Sequence, residues 1–141
     1  PEANHQFWSN PEALRHFTRM TEIYAALGPY HEAVAREVAN AGYPAIRHLW
    51  MHYEDDPNAR SISYQYLYGR DILVAPVLKE GETLRHAYLP EDSWVHFWSS
   101  RIFRGGEVTL EAPLGYPLVF YRENSSFASL FDSIRRNAQE Y

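Results

Sequence analysis

Tyr64-Gln65-Tyr66-Leu67-Tyr68-Gly69-Arg70-Asp71-Ile72-Leu73-Val74-Ala75-Pro76-Val77 admits two readings, and the fold turns on which one holds. Tyr64, Tyr66 and Tyr68 alternate strictly, which on a strand places all three on one side, as a platform on which a sugar could stack. Upstream, however, Asp56-Pro57 joins a helix cap to a first-turn proline. The spacing therefore predicts a helix with Ile62, Tyr66 and Leu67 on its buried face, ending at Gly69. On that reading the tyrosines spread around the helix and serve packing. After Gly69 the apolar run from Ile72 to Leu78 reads as a strand.

Outward from this stretch the texture is of short extended segments divided by turns, the pattern of an all-β sandwich. Expected strands are Ala45 to Tyr53, Ile72 to Leu78, Leu84 to Leu89, Trp94 to Trp98, Glu107 to Glu111 and Leu118 to Arg122. Glu80-Gly81-Glu82, Pro90-Glu91-Asp92 and Gly105-Gly106 separate them. A short last helix is expected from Ser125 or Ser126, with Phe127, Leu130, Phe131 and Ile134 at helical spacing.

Before Pro44 the periodicity is helical. Asn10-Pro11-Glu12 is a capped start, and Leu14, Phe17, Thr21, Tyr24 and Leu27 recur on one face. Gly28-Pro29 interrupts the helix, Tyr30, Val34, Val38 and Ala41 resume it, and Gly42 stops it. No other segment offers these helices an obvious covering layer. The opening Pro1-Glu2-Ala3-Asn4-His5 reads as a loop continuing from something longer.

Composition narrows the function classes. The 141 residues suit one ordinary domain, or an appendage plus a small one. Hydrophobic residues at 45% and charged residues at 22% predict a packed core, while 16% aromatic residues suit either a β core or a sugar site, the core being the commoner use. A net charge of -5 without a basic cluster excludes a nucleic-acid surface, since Arg135-Arg136 is too small a patch. The absence of cysteine removes disulfides, thiolate metal sites and cysteine nucleophiles, and is compatible with the cytoplasm. No apolar run approaches the ~20 residues that span a bilayer.

Candidate chemistry is thin. Glu54-Asp55-Asp56 invites comparison with the carboxylate pair of glycoside hydrolysis, but consecutive acids point apart, and a helix-capping turn explains them better. His48 and His52 share a face, yet Leu49-Trp50-Met51 lacks the glutamate of a zinc-protease helix and no third ligand follows, so partly exposed strand histidines are expected. Gly105-Gly106 reads as a hairpin turn, not a phosphate loop. The residues alone thus give a soluble β module preceded by an orphan helical hairpin, with no active site.

The stretch quoted first also resembles the segment that follows the barrel in glycoside hydrolase family 31. Pro44-Ala45-Ile46-Arg47 leading to His52-Tyr53-Glu54-Asp55-Asp56-Pro57 resembles that family's first post-barrel strand and acidic turn. Tyr88-Leu89-Pro90 with Trp94-Val95-His96-Phe97-Trp98 is similar to its L-P…W segment. Ala112-Pro113-Leu114-Gly115-Tyr116-Pro117-Leu118-Val119-Phe120-Tyr121-Arg122 and Phe127-Ala128-Ser129-Leu130-Phe131 resemble its bacterial sulfoquinovosidase branch.

The resemblance implies a fragment of a multidomain α/β enzyme. Residues 1–42 would be the last loop and closing helices of a (β/α)8 barrel, and residues 43–141 an all-β sandwich domain with a short C-terminal helix. It implies a retaining α-glycosidase acting on α-glycosides of sulfoquinovose, cytoplasmic and bacterial, with α-glucosidase or α-xylosidase as alternatives. A carbohydrate-binding or purely structural module is the alternative from another class. A barrel takes ~250 residues, so the two catalytic aspartates and the substrate-binding residues would lie upstream. No catalytic, substrate-binding or metal residue is assigned to this chain, and Asp55, Asp56, Asp71 and Asp92 are not promoted. No cofactor is implied. The expected partners are the rest of the barrel and a carbohydrate, not a nucleic acid or a membrane.

Overall fold

The computed structural model describes residues 6–138, so the opening loop and the last residues, 139–141, lie outside the described residues. After a 3-10 turn at Phe7–Ser9, helix α1 runs Pro11–Ala26 and α2 runs Gly28–Ala41. The Asn10 side chain accepts the Glu12 amide at 2.8 Å, as its capping role requires. Gly42, at φ 73°, ends α2 in the left-handed conformation that glycine adopts at least cost. Strands follow at β1 Ile46–Arg47, β2 Tyr66–Tyr68, β3 Ile72–Ala75, β4 Leu84–Leu89, β5 Trp94–His96, β6 Ile102–Phe103, β7 Gly106–Glu111 and β8 Leu118–Arg122. Helix α3 is Pro57–Ser61 and α4 is Ala128–Ala138.

The strands form a six-stranded sheet in the order β1-β2-β3-β8-β5-β6 and a two-stranded sheet, β4-β7. Every pairing is antiparallel. Alternation along the strands assigns each side chain to one of two cores. Leu67, Leu73, Ala75, Leu118, Phe120 and Trp94 face the small sheet, where Ala87, Leu89 and Ala112 meet them. Ile72, Val95, Phe97 and Tyr121 face the other way and are covered by Tyr30 and Val34 of α2 and by Phe131 and Ile134 of α4.

That second core corrects the expectation that nothing in the chain covers the helical hairpin. The large sheet presents apolar residues on both faces, and α2 with α4 packs on the outer one. The covering is partial: Leu14, Phe17 and Tyr24 of the expected α1 face remain 40%, 49% and 67% exposed.

The opening stretch resolves as a hairpin. The helix begun at Asp56-Pro57 ends at Ser61, not at Gly69, because Leu67 pairs with Leu73 and Tyr66 with Val74 across the turn Gly69-Arg70-Asp71. Ala45 to Tyr53 holds only the two-residue β1; the His48 ring then accepts the Trp50 amide at 3.1 Å and turns the chain into a 3-10 segment at Leu49–Met51. Ile102–Phe103 is a further short strand not expected from the sequence, and α4 starts at Ala128, after its expected onset at Ser125 or Ser126. Gly105 and Gly106, at φ 82° and 89°, carry the chain from one sheet to the other instead of closing a simple hairpin.

Three polar clamps hold these layers. The buried Tyr30 hydroxyl donates to the Tyr68 carbonyl at 2.7 Å and accepts the Asp71 amide at 3.0 Å, so α2 closes the β2-β3 turn. Burial, chiefly, pushes the Tyr30 phenol up, which keeps its proton in place for the first bond. Buried Arg47 binds Glu37 of α2, the Pro44 carbonyl and the His52 ring, tying β1 to the same helix. Arg122 reaches Asp92 at 2.8 Å and Asp71 at 3.6 Å, joining β8 to two turns.

Gly69 is where packing and backbone conformation coincide. It sits at φ +59°, and a Cβ there would lie 2.7 Å from Val34 Cγ2 and strike the Tyr30 hydroxyl. Gly81, at φ +76°, has open space around it. Gly81→Ala should therefore cost only the left-handed penalty of ~1–2 kcal/mol. Gly69→Ala should cost ~1–3 kcal/mol more, because displacing Tyr30 leaves a buried amide and carbonyl unpaired. Urea unfolding of both variants measures this, and equal losses would refute the clamp.

A second expectation concerns pH. Burial, then the charge of Arg101, pushes the His96 imidazole down to about 4 from its usual 6.5. Between those values the unfolded chain binds a proton that the folded chain does not, so stability falls as pH drops from 6.5 towards 4. His52 is pushed down as well, first by burial and then by Arg47, and adds the same sign. Urea midpoints over this window should fall less steeply in His96→Gln than in the parent; parallel curves would show that His96 contributes nothing.

Candidate functional site

Within the acidic turn, Asp56 has a structural role. Asp56 Oδ1 accepts the Asn58 and Ala59 amides at 2.9 and 3.2 Å, capping α3, and its Oδ2 accepts the Tyr88 hydroxyl at 2.7 Å. Glu54 and Asp55 are exposed beside it. Asp71 and Asp92 share Arg122; Asp71 also accepts the Ser125 hydroxyl at 2.9 Å and Asp92 the Tyr53 hydroxyl at 3.1 Å. Burial first, and the Asp92 charge next, push the Tyr53 phenol up. Carboxylates engaged in this way hold turns together.

His48 and His52 end up at opposite ends of the 3-10 turn. His48 caps it, while His52 takes Arg47 Nη1 at 2.9 Å and stacks on Tyr43 at 5.5 Å. They occupy a 3-10 turn instead of the expected strand. Among the described residues no three His, Asp or Glu side chains are placed to hold a metal ion.

The tyrosines divide. Tyr66 and Tyr68 do share a face, as β2 requires, but that face looks towards the helices. Tyr68 donates to His31 Nδ1 at 2.6 Å, a direction fixed because His31 Nε2 must donate to the Tyr24 carbonyl at 3.0 Å. Tyr64 lies off the strand under the Arg85 guanidinium, at 5.0 Å. They make no common platform.

What stands out instead is an apolar surface. Phe7 stacks on Phe17 at 4.4 Å, Trp8 is 60% exposed, and Leu14 and Tyr24 continue the same surface along α1. Beside it a cleft of about 450 Å3 enters between α1 and the outer sheet face, lined by Met20, Tyr24, Ile46, Tyr66, Val74 and Val119 among others. A continuous apolar area of this kind is the usual mark of an interaction surface.

One cluster was missed from sequence. Arg19 of α1 is buried, donates to the Gly115 carbonyl and lies 4.2 Å from the Tyr116 ring centroid and 5.4 Å from that of Trp98. Gly115 is needed there, since a Cβ would lie 2.7 Å from Arg19 Nη2. A glycine between Leu114 and Tyr116 was the available signal, but it marks a close approach without saying to what. No helix among the described residues is long and apolar enough to cross a membrane.

Comparison with known proteins agrees with this geometry. Residues 42–126 match the glycosyl hydrolase family 31 C-terminal domain. The chain is 52% identical over 136 residues to a sulfoquinovosidase of Escherichia coli K12, covering 96% of this chain and 20% of that protein. It is 47% identical over 137 residues to a sulfoquinovosidase of Agrobacterium fabrum, covering 96% and 21%. A solved family 31 sulfoquinovosidase from E. rectale superposes with a TM-score of 0.93 at 42% identity, covering 97% of this chain and 20% of that one. An α-xylosidase of the family from a soil metagenome gives 0.87 at 31% identity, covering 92% and 20%. The chain thus spans about a fifth of the length of the relatives it matches. With its small sheet-rich core, its short C-terminal helix and a family match over most of its length, the chain belongs to glycosyl hydrolase family 31.

Proposed function

We propose that this chain is the C-terminal part of a retaining α-glycosidase that hydrolyses α-glycosides of sulfoquinovose, with residues 1–42 closing a catalytic (β/α)8 barrel and residues 43–141 forming its C-terminal domain. The observation that carries the reading is the identity to two sulfoquinovosidases over nearly the whole chain, through the Leu114-Gly115-Tyr116-Pro117 turn that Arg19 grips. The exposed face of Leu14, Phe17 and Tyr24 supports it, because an amphipathic helix with an uncovered apolar stripe suits packing against a barrel.

On this reading the chemistry is supplied elsewhere in the enzyme. A retaining mechanism needs two carboxyl groups ~5–5.5 Å apart across the glycosidic bond, one as nucleophile and one as acid/base. Asp56, Asp71 and Asp92 are each committed to a cap or an arginine, so none is free for either role. An α-glucosidase or α-xylosidase activity is the second reading, favoured by the α-xylosidase superposition and by 31% identity over 101 residues to an α-glucosidase of Bacillus thermoamyloliquefaciens. A free-standing carbohydrate-binding or structural module fits less well, since it would leave the α1 face in water.

The complete enzyme should prefer an aryl α-sulfoquinovoside over the matching α-glucoside by at least ~10² in kcat/KM, because donors built around a sulfonate are left unpaired without it. Both substrates measured at one salt concentration decide this, and equal or reversed preference removes the sulfoquinovoside assignment while leaving the family.

Asp55→Asn and Asp56→Asn in the complete enzyme should each keep kcat within roughly tenfold, a barrier change of about 1.4 kcal/mol or less. Asp56→Asn should lower stability, since the Tyr88 hydroxyl loses its charged acceptor, while Asp55→Asn should not. A fall of several orders of magnitude in kcat with folding intact would make either residue catalytic.

A further inference from the structure

The ends of β5 and β7 and the turn after β7 line a groove of about 480 Å3. One wall is aromatic. Trp98 and Tyr116 meet edge to face at 5.1 Å, and Trp98 is fixed by donating Nε1–H to the Pro117 carbonyl at 2.7 Å. Arg19 backs both rings from the α1 side, so their position is set before anything binds. The rim is polar and carries both signs of charge: Arg101, Thr109 and Glu111 are all exposed there.

Leu84, Leu110 and Pro113 add further apolar lining, and Ser99 lies beside His96, which is 7% exposed. Its Nδ1 pairs with the Ser99 hydroxyl at 2.8 Å, and its Nε2 is buried without a hydrogen-bond partner. A buried, unpaired ring nitrogen costs stability and calls for an explanation. Because burial and Arg101 keep the ring uncharged near neutral pH, Nε2 suits a hydroxyl and not an ion. The turn over it holds Ser100 at φ 60°, the one non-glycine residue at positive φ among the described residues.

We propose that this groove binds a neutral carbohydrate, with Trp98 and Tyr116 as its apolar wall and His96, Arg101 and Glu111 as its hydrogen-bonding groups, the Thr109 hydroxyl being already paired with His86 at 3.1 Å. An anion would be drawn to Arg101 but repelled by Glu111, and a cation the reverse. Sugar hydroxyls donate and accept, so they satisfy a carboxylate and a guanidinium together. The sugar's C–H faces match the aromatic wall, an arrangement of apolar lining with a few placed polar groups that is usual for small-ligand sites. The glycosidase reading enters only in the choice of an α-linked glucose oligomer as probe.

The complete enzyme is titrated with maltotriose by calorimetry, alongside hydrolysis of the aryl α-sulfoquinovoside and thermal melting. Maltotriose should bind, and Arg101→Ala with Glu111→Gln should weaken it at least ~10-fold while hydrolysis is unchanged. If Arg101→Ala lowers the melting point by loosening its contact with Phe103, Glu111→Gln alone carries the comparison. Absence of binding, or binding indifferent to these substitutions, overturns the inference. Hydrolysis without groove binding removes this site alone; groove binding without hydrolysis of the sulfoquinovoside removes the proposed substrate and leaves the site.

Discussion

The Tyr30 hydroxyl is the point on which the two halves of the chain depend. It satisfies one acceptor and one donor of the β2-β3 turn, where α2 comes close enough to forbid a side chain on Gly69. The turn in turn sets the register of β2 against β3, and a slip of one residue would exchange Leu67 and Leu73 of one core for Tyr68 and Ile72 of the other. One phenol therefore fixes the helix, the turn and the assignment of side chains to faces. Tyr30 also meets Phe127 and Phe131 edge to face at 5.2 and 5.1 Å, which draws α4 into the same arrangement.

Much of this was legible in the sequence. Capping and stop residues placed α1 and α2, and flanking turn residues placed β4 and β8, because these signals are local and need no knowledge of partners. The failures have a common cause. Tyr66–Tyr68 looked helical because Asp56-Pro57 does start a helix, but that helix is one turn long, and the three-residue strand after it exists only through pairing with β3. The cover for the helical hairpin was invisible for the same reason, since the outer face of the large sheet becomes apolar only when strands distant in sequence are brought side by side.

The site was less legible than the fold. Residue types that commonly do chemistry, acids and histidines, were judged structural from their spacing, and the geometry gives each of Asp56, Asp71, Asp92, His48 and His52 a local partner. The two surfaces that merit functional attention are instead made of residues with no chemical signature: the α1 face and the wall of Trp98 and Tyr116. Both depend on exposure, which periodicity constrains but does not reveal. Leu14 and Phe17 were rightly read as one face without a cover in this chain; what could not be read was that α2 has such a cover while α1 keeps its face exposed.

Arginine chemistry explains the aromatic richness better than a sugar site does. The chain holds one lysine, Lys79, so the other 12 of its 13 basic residues are arginine. Arg19, Arg47 and Arg85 are buried, and each lies over a tyrosine: Tyr116 at 4.2 Å, Tyr43 at 5.0 Å and Tyr64 at 5.0 Å. A guanidinium tolerates such places because it is planar and weakly hydrated, whereas an ammonium would lose more on leaving water. Of these three, only Arg47 has a carboxylate partner among the described residues, Glu37. Arg19 and Arg85 rely on ring faces and backbone carbonyls, so replacing either tyrosine by an aliphatic residue would remove part of what makes a buried cation tolerable. The tyrosines are thus as much electrostatic partners as packing material. The same arrangement that anchors α1 to the Gly115 turn also holds the wall of the groove on its far side, which links the stability of this domain to the proposed carbohydrate site through a single side chain, Arg19.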